Sequence, residues 1–293
     1  MYQDKVYLLN KEIKKCDYRY LWESRSAFFL YSEKRQNIEM KVVPIGECNF
    51  SCPYCKRNGY HKEENQIVAG AIPVGLQDLK EEIEKAVLEG NIIRLSGGEP
   101  CCDYVACFEI AKYVKEIGGE VSIASNGFYP NVIRNLLEKG LLDSAAIDYK
   151  ANEMRRLKEL TGLSDREAEV ALNNLKQTIR IVGEYQKPLE VRIPVFQETT
   201  MEELIPICED LRKLLGDAFF FTLRLYSSVE GCTFGECDYE QVIALGTQLS
   251  SLYQSATIGI RLKWEKSNFI FLKNGIKQLE LKYDDKIQVI FSI

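Results

Sequence analysis

The fold is decided by residues 92–98, IIRLSGG, and by the two segments that follow them. The apolar run over 92–96 predicts a buried strand that ends in a pair of glycines. Residues 104–117 predict a helix that a second Gly-Gly pair closes, and the apolar run over 121–124 predicts another strand. Strand, helix and strand joined in this way form a βαβ unit, which requires two parallel strands and a crossover helix.

The same alternation extends in both directions from this unit. Further strands are predicted over 38–44, 145–149, 189–195 and 219–225. Further helices are predicted over 76–88, 131–142, 167–185, 201–215 and 239–253. Six repeats of this kind predict an α/β fold, a partial (β/α)6 barrel of parallel strands. Functional residues are then expected just after the strands, at their carboxyl ends.

Two regions at the ends of the chain do not follow the alternation. Residues 1–36 hold short aromatic segments and are predicted to form a short N-terminal cap segment. The barrel core is predicted over 37–228. Residues 229–293 predict a β-rich C-terminal extension, a helix and β-hairpin packed on the core, with Asn274-Gly275 as the tight turn.

Composition and charge exclude several classes of protein. The chain has 293 residues, 46% hydrophobic and 28% charged, with a net charge of −5, so a globular fold is expected and nucleic acid is not an expected partner. No apolar run reaches the ~18 residues of a membrane span. The first ten residues lack a basic start followed by an apolar stretch, so no secretory signal is expected. We therefore expect a cytoplasmic protein whose ten cysteines are reduced thiols or metal ligands.

Three of the cysteines form a motif directly after the first predicted strand, over residues 48–55, CNFSCPYC. A short loop with this spacing can bring the thiolates of Cys48, Cys52 and Cys55 toward one point, and thiolates select zinc or iron–sulfur clusters. A cubane cluster with three protein thiolates leaves one iron open. A structural zinc site needs four ligands, and His61 makes a Cys3His site an open alternative. Three incidental buried cysteines are the remaining alternative.

The motif Cys48-x-x-x-Cys52-x-x-Cys55, with Tyr54 before its last cysteine, resembles the signature of radical S-adenosylmethionine (radical SAM) enzymes. The resemblance implies a 4Fe–4S cluster on the three cysteines, whose open iron chelates S-adenosylmethionine, with Tyr54 among the cofactor-binding residues. It implies reductive cleavage of that cofactor to methionine and a 5′-deoxyadenosyl radical, which abstracts hydrogen from a substrate. It also implies an oxygen-sensitive oxidoreductase with an electron donor such as flavodoxin or ferredoxin.

Further segments at the predicted strand ends carry the same resemblance. Gly97, Gly98 and Glu99 follow the second strand and resemble the segment that contacts the cofactor's methionine amino group. The glycines allow a close approach of the backbone, and Glu99 offers an acceptor for an ammonium group. Ser125 and Asn126 end the third strand and resemble the polar segment near the cofactor's methionine and ribose. A plain Asn-Gly turn is the alternative for these two residues.

Two basic residues extend the resemblance to the next two strands. Lys150 resembles the lysine of an Asp-x-Lys segment that in some branches contacts the cofactor's carboxylate, and a solvated strand end is the alternative. Arg192 lies on the fifth strand, where it either faces the barrel interior and binds a carboxylate through two hydrogen bonds or points into a helix layer. The resemblance covers residues 38–225, and it assigns no catalytic side chain.

The substrate is the least determined part of this interpretation. The core most resembles the activases that install a glycyl radical on a partner enzyme and their small-molecule relatives, so a small organic or peptide substrate is expected. Against a true activase, the stretch before Cys48 lacks the Gly-rich, Arg-containing segment of that group. A zinc-stabilised α/β binding module without redox chemistry is the alternative from another class.

Overall fold

The computed structural model describes residues 6–7, 22–24, 40–45, 48–55, 73–74, 76–226, 231–262, 269–284 and 286–290. Its strands are β1 (Val6–Tyr7), β2 (Trp22–Ser24), β3 (Met40–Ile45), β4 (Pro73–Val74), β5 (Ile92–Gly97), β6 (Val121–Ser125), β7 (Ser144–Asp148), β8 (Leu189–Val195), β9 (Phe220–Leu225), β10 (Thr257–Arg261), β11 (Phe269–Lys273), β12 (Ile276–Asp284) and β13 (Lys286–Ile290). Its helices are α1 (Leu76–Leu88), α2 (Tyr104–Glu116), α3 (Pro130–Glu138), α4 (Met154–Thr161), α5 (Asp165–Glu184), α6 (Met201–Leu215) and α7 (Tyr239–Leu252), with a 3-10 turn over Pro100–Asp103. Among these helices, none has the length and apolar composition needed to cross a bilayer.

Eleven strands form one sheet in the order β13-β12-β11-β10-β9-β8-β7-β6-β5-β3-β2. The seven strands from β3 to β10 along this order are parallel to one another. Antiparallel strands flank them, β2 beside β3 and the hairpin strands β11 to β13 beside β10. The order is linear and the sheet is open, which confirms the predicted α/β partial barrel.

The parallel sheet is one strand longer than the six predicted repeats. β10 lies in the segment that the sequence analysis placed in the C-terminal β-rich extension, yet Thr257 to Arg261 pair in parallel with Phe220 to Arg224 of β9. The reason is a further crossover, because α7 returns the chain to the edge where β9 begins. The division of the chain into cap, core and extension stays a prediction.

A short helix that the sequence analysis did not predict separates β7 from α5. Glu153 begins α4 by accepting hydrogen bonds from two backbone amides of its first turn, and Gly162 ends it with φ at +70°. Ser164 and Glu167 then form a capping box that begins α5. Two helix start signals in close succession therefore give two helices. The end of α4 lies against the loop over residues 48–55.

The two faces of the parallel sheet carry different side chains. On β5, Ile93 and Leu95 are fully buried in the main apolar core beneath the helices. Arg94 and Ser96 alternate with them and therefore point to the inner face of the partial barrel. The same alternation places Arg192 on the inner face of β8, between Val191 and Ile193 of the core. Charged side chains on the strands are thus collected inside the barrel.

Candidate active site

The loop over residues 48–55, called the cysteine loop here, is fixed by contacts that do not involve its thiols. Ser51 donates a backbone hydrogen bond of 2.8 Å to the Thr161 carbonyl at the end of α4. A Cβ atom at Gly162 would lie 3.2 Å from Ser51, so the next residue of the chain packs closely on the loop. Phe50 and Cys52 are buried against Ala171 of α5. The fold therefore holds the loop in place before any metal binds.

The thiols of the cysteine loop are partly or fully shielded from solvent. Burial raises the pKa of Cys48, and the Glu99 carboxylate adds to this effect. Burial also raises the pKa of Cys52 to about 11, although Lys150 opposes it. Both thiols are therefore protonated in the metal-free protein at neutral pH, and a metal centre would displace their protons. In the part of the chain that the structure describes, which includes the cysteine loop, no three Cys, His, Asp or Glu side chains lie close enough together to hold one metal ion. His61 lies outside that part.

Glu99 joins the ends of β5 and β6. Its side chain is 1% exposed. One carboxylate oxygen accepts hydrogen bonds from Ser125 Oγ (2.8 Å) and the Cys101 amide (3.1 Å), and the other accepts from the Asn126 amide (2.6 Å). Burial raises the pKa of Glu99, and these three hydrogen bonds oppose the rise. Glu99, Ser125 and Asn126, which were predicted separately, are therefore parts of one network.

Asn49 connects this network to the cysteine loop, and the sequence analysis missed it. The Asn126 side chain donates a 2.8 Å hydrogen bond to Asn49 Oδ1. The Asn49 Nδ2 group is buried and has no hydrogen-bond partner among the described residues. The signal in the sequence is a lone amide side chain directly after Cys48. A buried donor of this kind, beside three thiols, fits a site that is completed by a bound group.

Gly97 is required for packing within the protein, independently of the predicted contact with a cofactor. Its φ of +120° favours glycine. A Cβ atom at this position would lie 2.5 Å from the Ile45 nitrogen and 2.6 Å from the Ile45 oxygen. Glycine therefore allows the carboxyl ends of β5 and β3 to meet just before the cysteine loop. Gly98 follows in a half-buried bend, and the contact of both glycines with a cofactor stays a proposal.

Lys150 and Tyr54 lie together next to Cys52. The Lys150 ammonium is 5.5 Å from the centre of the Tyr54 ring and 3.5 Å from an Asp148 carboxylate oxygen. Burial works against the charged form of Lys150, yet Tyr54, Cys52 and Asp148 together hold its pKa well above the usual range. Tyr54 also contacts Phe196 edge to face at 5.0 Å. Lys150 thus carries a positive charge at the rim of the cysteine loop.

Arg192 shares Asp148 with Lys150. Arg192 Nε donates a 2.7 Å hydrogen bond to Asp148, and the arginine lies on the inner face of the sheet. Burial works against the charge of Asp148, but Arg192 and Lys150 overcome it and hold the pKa of the carboxyl near 2. Lys150 and Arg192, which were both predicted site residues, therefore pair with the same carboxylate, that of Asp148. Their contact with a cofactor stays a proposal.

A cavity of about 430 Å³ opens beside Lys150, at the carboxyl ends of β7 and β8. Its lining includes Arg156, Pro194, Phe196 and Glu203. Volumes of this size are typical of sites for small molecules. The cavity shares Lys150 with the candidate site, and the rest of its lining includes residues of α4 and α6.

Comparisons with known proteins agree with this geometry. Residues 42–211 match the family model of the Radical SAM superfamily. A Methanocaldococcus jannaschii protein named as a glycyl-radical enzyme activating enzyme is 28% identical over 185 residues, 63% of this chain and 72% of that protein. The 7-carboxy-7-deazaguanine synthase of the same organism is 25% identical over 177 residues, 58% of this chain and 68% of that protein.

A solved structure shows the same fold at low sequence identity. Streptococcus suis SuiB bound to S-adenosylmethionine matches with a TM-score of 0.59 and 13% identity, over 78% of this chain and 52% of SuiB. This chain thus spans about half the length of SuiB. The family's 4Fe–4S cluster and S-adenosylmethionine are the predicted cofactors, and the prediction of an enzyme is confirmed. With more than half of its residues matched by the family model, this chain belongs to the radical SAM superfamily.

Proposed function

We propose that this chain binds a 4Fe–4S cluster through Cys48, Cys52 and Cys55 and uses S-adenosylmethionine to abstract hydrogen from a small organic or peptide substrate. When bound, the cluster and cofactor supply one-electron cleavage and an organic radical, for which an electron donor such as flavodoxin or ferredoxin is needed. One observation carries the proposal. The cysteine loop is held in place by the rest of the fold and lies beside the Glu99 network, at the carboxyl ends of β3, β5 and β6.

The protein's own groups prepare two kinds of contact for the cofactor. Asn49 offers a buried amide donor beside the thiols. Lys150 and Arg192 offer cationic donors to a carboxylate, since Asp148 fixes both of them in place. Glu99 uses its oxygens inside the protein, so its main effect is to position Ser125 and Asn126.

An aromatic cluster shields one side of the cysteine loop. The Tyr54 ring contacts Phe196, Tyr226 and Phe234 at centroid distances of 5.0 to 6.2 Å. Phe196 and Tyr226 are buried. Radical chemistry requires the exclusion of competing solvent reactions, and this cluster excludes water from the side of the loop that faces β8 and β9.

The test compares wild type with Cys52→Ala after anaerobic reconstitution with iron and sulfide. We expect the wild type to turn brown, to bind iron and sulfide, and to release 5′-deoxyadenosine slowly with dithionite and S-adenosylmethionine. Cys52→Ala should lose both the colour and the nucleoside. Cys208→Ala is the matched control, because this buried thiol lies on α6, outside the cysteine loop and the aromatic cluster, and it should behave as the wild type.

Two outcomes would contradict the proposal. The first is a wild-type protein that stays colourless and holds one zinc ion, which would favour the zinc-stabilised binding module. The second is a fully clustered protein that releases no nucleoside.

Activation of a glycyl-radical enzyme is the second candidate function. The similarity to the Methanocaldococcus protein that carries this name favours it. An activase removes hydrogen from a glycine Cα, so a short peptide with dideuterated glycine should transfer deuterium into 5′-deoxyadenosine. A deuterium-free nucleoside, formed at the rate seen without peptide, would favour a small-molecule substrate instead.

A further inference from the structure

The orientation of the Asn49 side-chain amide is fixed by a chain of hydrogen bonds that begins at a backbone group. The Phe128 amide donates a 3.0 Å hydrogen bond to Asn126 Oδ1. Because a backbone N–H only donates, the other end of the Asn126 side chain is its NH2 group. That group donates to Asn49 Oδ1 at 2.8 Å. The Asn49 Nδ2 group therefore lies on the opposite side of its planar amide, turned away from Asn126.

The Asn49 Nδ2 group is a buried hydrogen-bond donor without an acceptor. The atom is shielded from solvent, and no oxygen or sulfur atom of the described residues accepts its hydrogens. Turning the amide over would bring it no relief, because the NH2 groups of Asn49 and Asn126 would then face each other. A buried donor left unpaired destabilises a folded protein. The acceptor is therefore expected to arrive with a bound group.

The other two residues between the first two cysteines are already engaged within the protein. Phe50 is buried, and its backbone amide donates a 3.4 Å hydrogen bond to Cys48 Sγ. The Ser51 amide donates to the end of α4. A group that both cysteines hold would lie against this stretch of the loop. The buried side-chain donor that the stretch offers is Asn49.

Of the two groups in the proposed function, the cluster fits this donor better. The carboxylate of S-adenosylmethionine has cationic partners of its own in Lys150 and Arg192. The inorganic sulfides of a 4Fe–4S cluster carry negative charge and accept hydrogen bonds from amides. A donor to a charged acceptor forms a stronger hydrogen bond than a donor to a neutral one. Asn49 follows the first cluster ligand directly in the chain, so a sulfide is the acceptor that the loop itself brings to it.

Building on the proposed function, we propose that Asn49 Nδ2 donates a hydrogen bond to an inorganic sulfide of the 4Fe–4S cluster and thereby raises the reduction potential of the cluster. Reduction adds a negative charge to the cluster, so a hydrogen-bond donor stabilises the reduced form more than the oxidised form. Asn126 is a positioning residue, because it acts through the amide of Asn49. Glu99 holds the backbone of Asn126 and completes the support.

The test is an anaerobic redox titration of the reconstituted protein without S-adenosylmethionine, followed by the electron paramagnetic resonance signal of the reduced cluster. Asn49→Leu keeps the approximate shape of the side chain and removes its donor. We expect the equilibrium between the two forms to shift about tenfold toward the oxidised cluster, which lowers the midpoint potential by about 59 mV for one electron. Asn126→Leu leaves Asn49 in place but removes its orienting donor, so a smaller shift in the same direction is expected.

Asn91→Leu is the matched control. It removes the same amide group from a site just before β5, at the amino end of that strand and so at the edge of the sheet opposite the cysteine loop. Its midpoint potential should equal that of the wild type. Iron and sulfide contents are compared first, since a purely structural role of Asn49 would lower the cluster content without moving the potential of the clusters that form.

Equal midpoint potentials in the wild type and Asn49→Leu would overturn the proposal. An unchanged potential together with weaker binding of S-adenosylmethionine would assign the donor to that molecule, which overturns the proposal as well. If Asn49→Leu assembles no cluster, the potential of Asn126→Leu decides, and a value equal to that of the wild type counts against the hydrogen bond.

Failure of this inference is distinguishable from failure of the proposed function. A clustered wild type that releases 5′-deoxyadenosine, with the same potential as Asn49→Leu, would remove the hydrogen bond and leave the radical enzyme. A lowered potential in Asn49→Leu, in a protein whose wild type releases no nucleoside, would leave the hydrogen bond and remove the radical function.

Discussion

The two halves of the inner face hold their functional groups by different physical means. In the half formed by β3, β5 and β6, the Glu99 carboxylate and neutral groups form short hydrogen bonds of 2.6 to 2.8 Å that tie Ser125, Asn126 and Asn49 together. In the half formed by β7 to β10, ion pairs hold Lys150 and Arg192 on the Asp148 carboxylate. The first half contains the cysteine loop, and the second half contains this group of ion pairs.

This difference indicates that the two halves of the barrel serve different purposes. Buried hydrogen bonds fix geometry and respond little to salt, which suits the metal cluster and cofactor that we propose for this half. Ion pairs that solvent reaches depend more on salt and pH, and their cationic side chains attract a ligand of opposite charge. The following predictions test whether the first half fails through lost geometry and the second through lost charge.

The largest effect is expected from Gly97→Ala. The new Cβ atom would overlap the Ile45 backbone, and φ of +120° is unfavourable for alanine. We expect the free energy of unfolding to fall by about 4 kcal/mol, measured by urea denaturation, and less cluster to be reconstituted. Gly118→Ala is the control, because φ is +81° there but no atom lies within 4 Å, and about 1 kcal/mol is expected. Equal losses in both variants would show that the contact with Ile45 is unimportant.

A somewhat smaller effect is expected from Glu99→Ala. The variant leaves Ser125 Oγ and the amides of Cys101 and Asn126 without their acceptor in a buried place. We expect a loss of about 3 kcal/mol in the free energy of unfolding and weaker binding of S-adenosylmethionine to a cluster that still forms. Glu99→Gln keeps the shape and one acceptor oxygen, so its loss should be smaller. Unchanged cofactor affinity in Glu99→Ala would remove this network from the site.

The smallest effect is expected in the charged half and depends on pH. The folded-state pKa of Asp148 is lowered to about 2, from 3.8 in the unfolded chain, because Arg192 and Lys150 outweigh the effect of burial. The stabilisation is therefore complete above pH 4 and is lost as the pH falls toward 2. It amounts to about 2 kcal/mol, since solvent reaches part of the side chain.

Acid denaturation of wild type and Asp148→Asn measures this contribution. The free energy of unfolding of the wild type should fall more steeply between pH 4 and pH 2 than that of the variant. Parallel curves over this range would show that the ion pairs of Asp148 do not stabilise the folded state.

Local sequence patterns predict most of the fold. The Gly-Gly pair after α2 and the apolar runs of β5 and β6 place these elements within one or two residues, because burial on two sides leaves a continuous apolar run. The sequence analysis missed the short helix α4, because its start signal at Glu153 lies close to that of α5 at Ser164, with only Gly162 to mark the end of α4 between them. The parallel direction of β10 depends on where α7 returns the chain, and a strand sequence alone does not contain that information.

Local sequence patterns also predict part of the candidate site. Motif spacing indicates the cysteines, positions at strand ends indicate Ser125 and Lys150, and the alternation along the fifth strand indicates Arg192. The hydrogen bond between Asn126 and Asn49 joins residues 77 positions apart and appears only in the folded chain. The ion pair between Arg192 and Asp148 was also missed. Which charges meet across the barrel depends on the register of distant strands.

The contact between the cysteine loop and the end of α4 determines how the loop behaves when no metal is bound. Ser51 and Thr161 hold the loop through the backbone, so the loop keeps its place when the thiols have no metal. If the proposed cluster is lost to air, we therefore expect the backbone of the loop to stay in place, so that a new cluster can be built without refolding of the barrel.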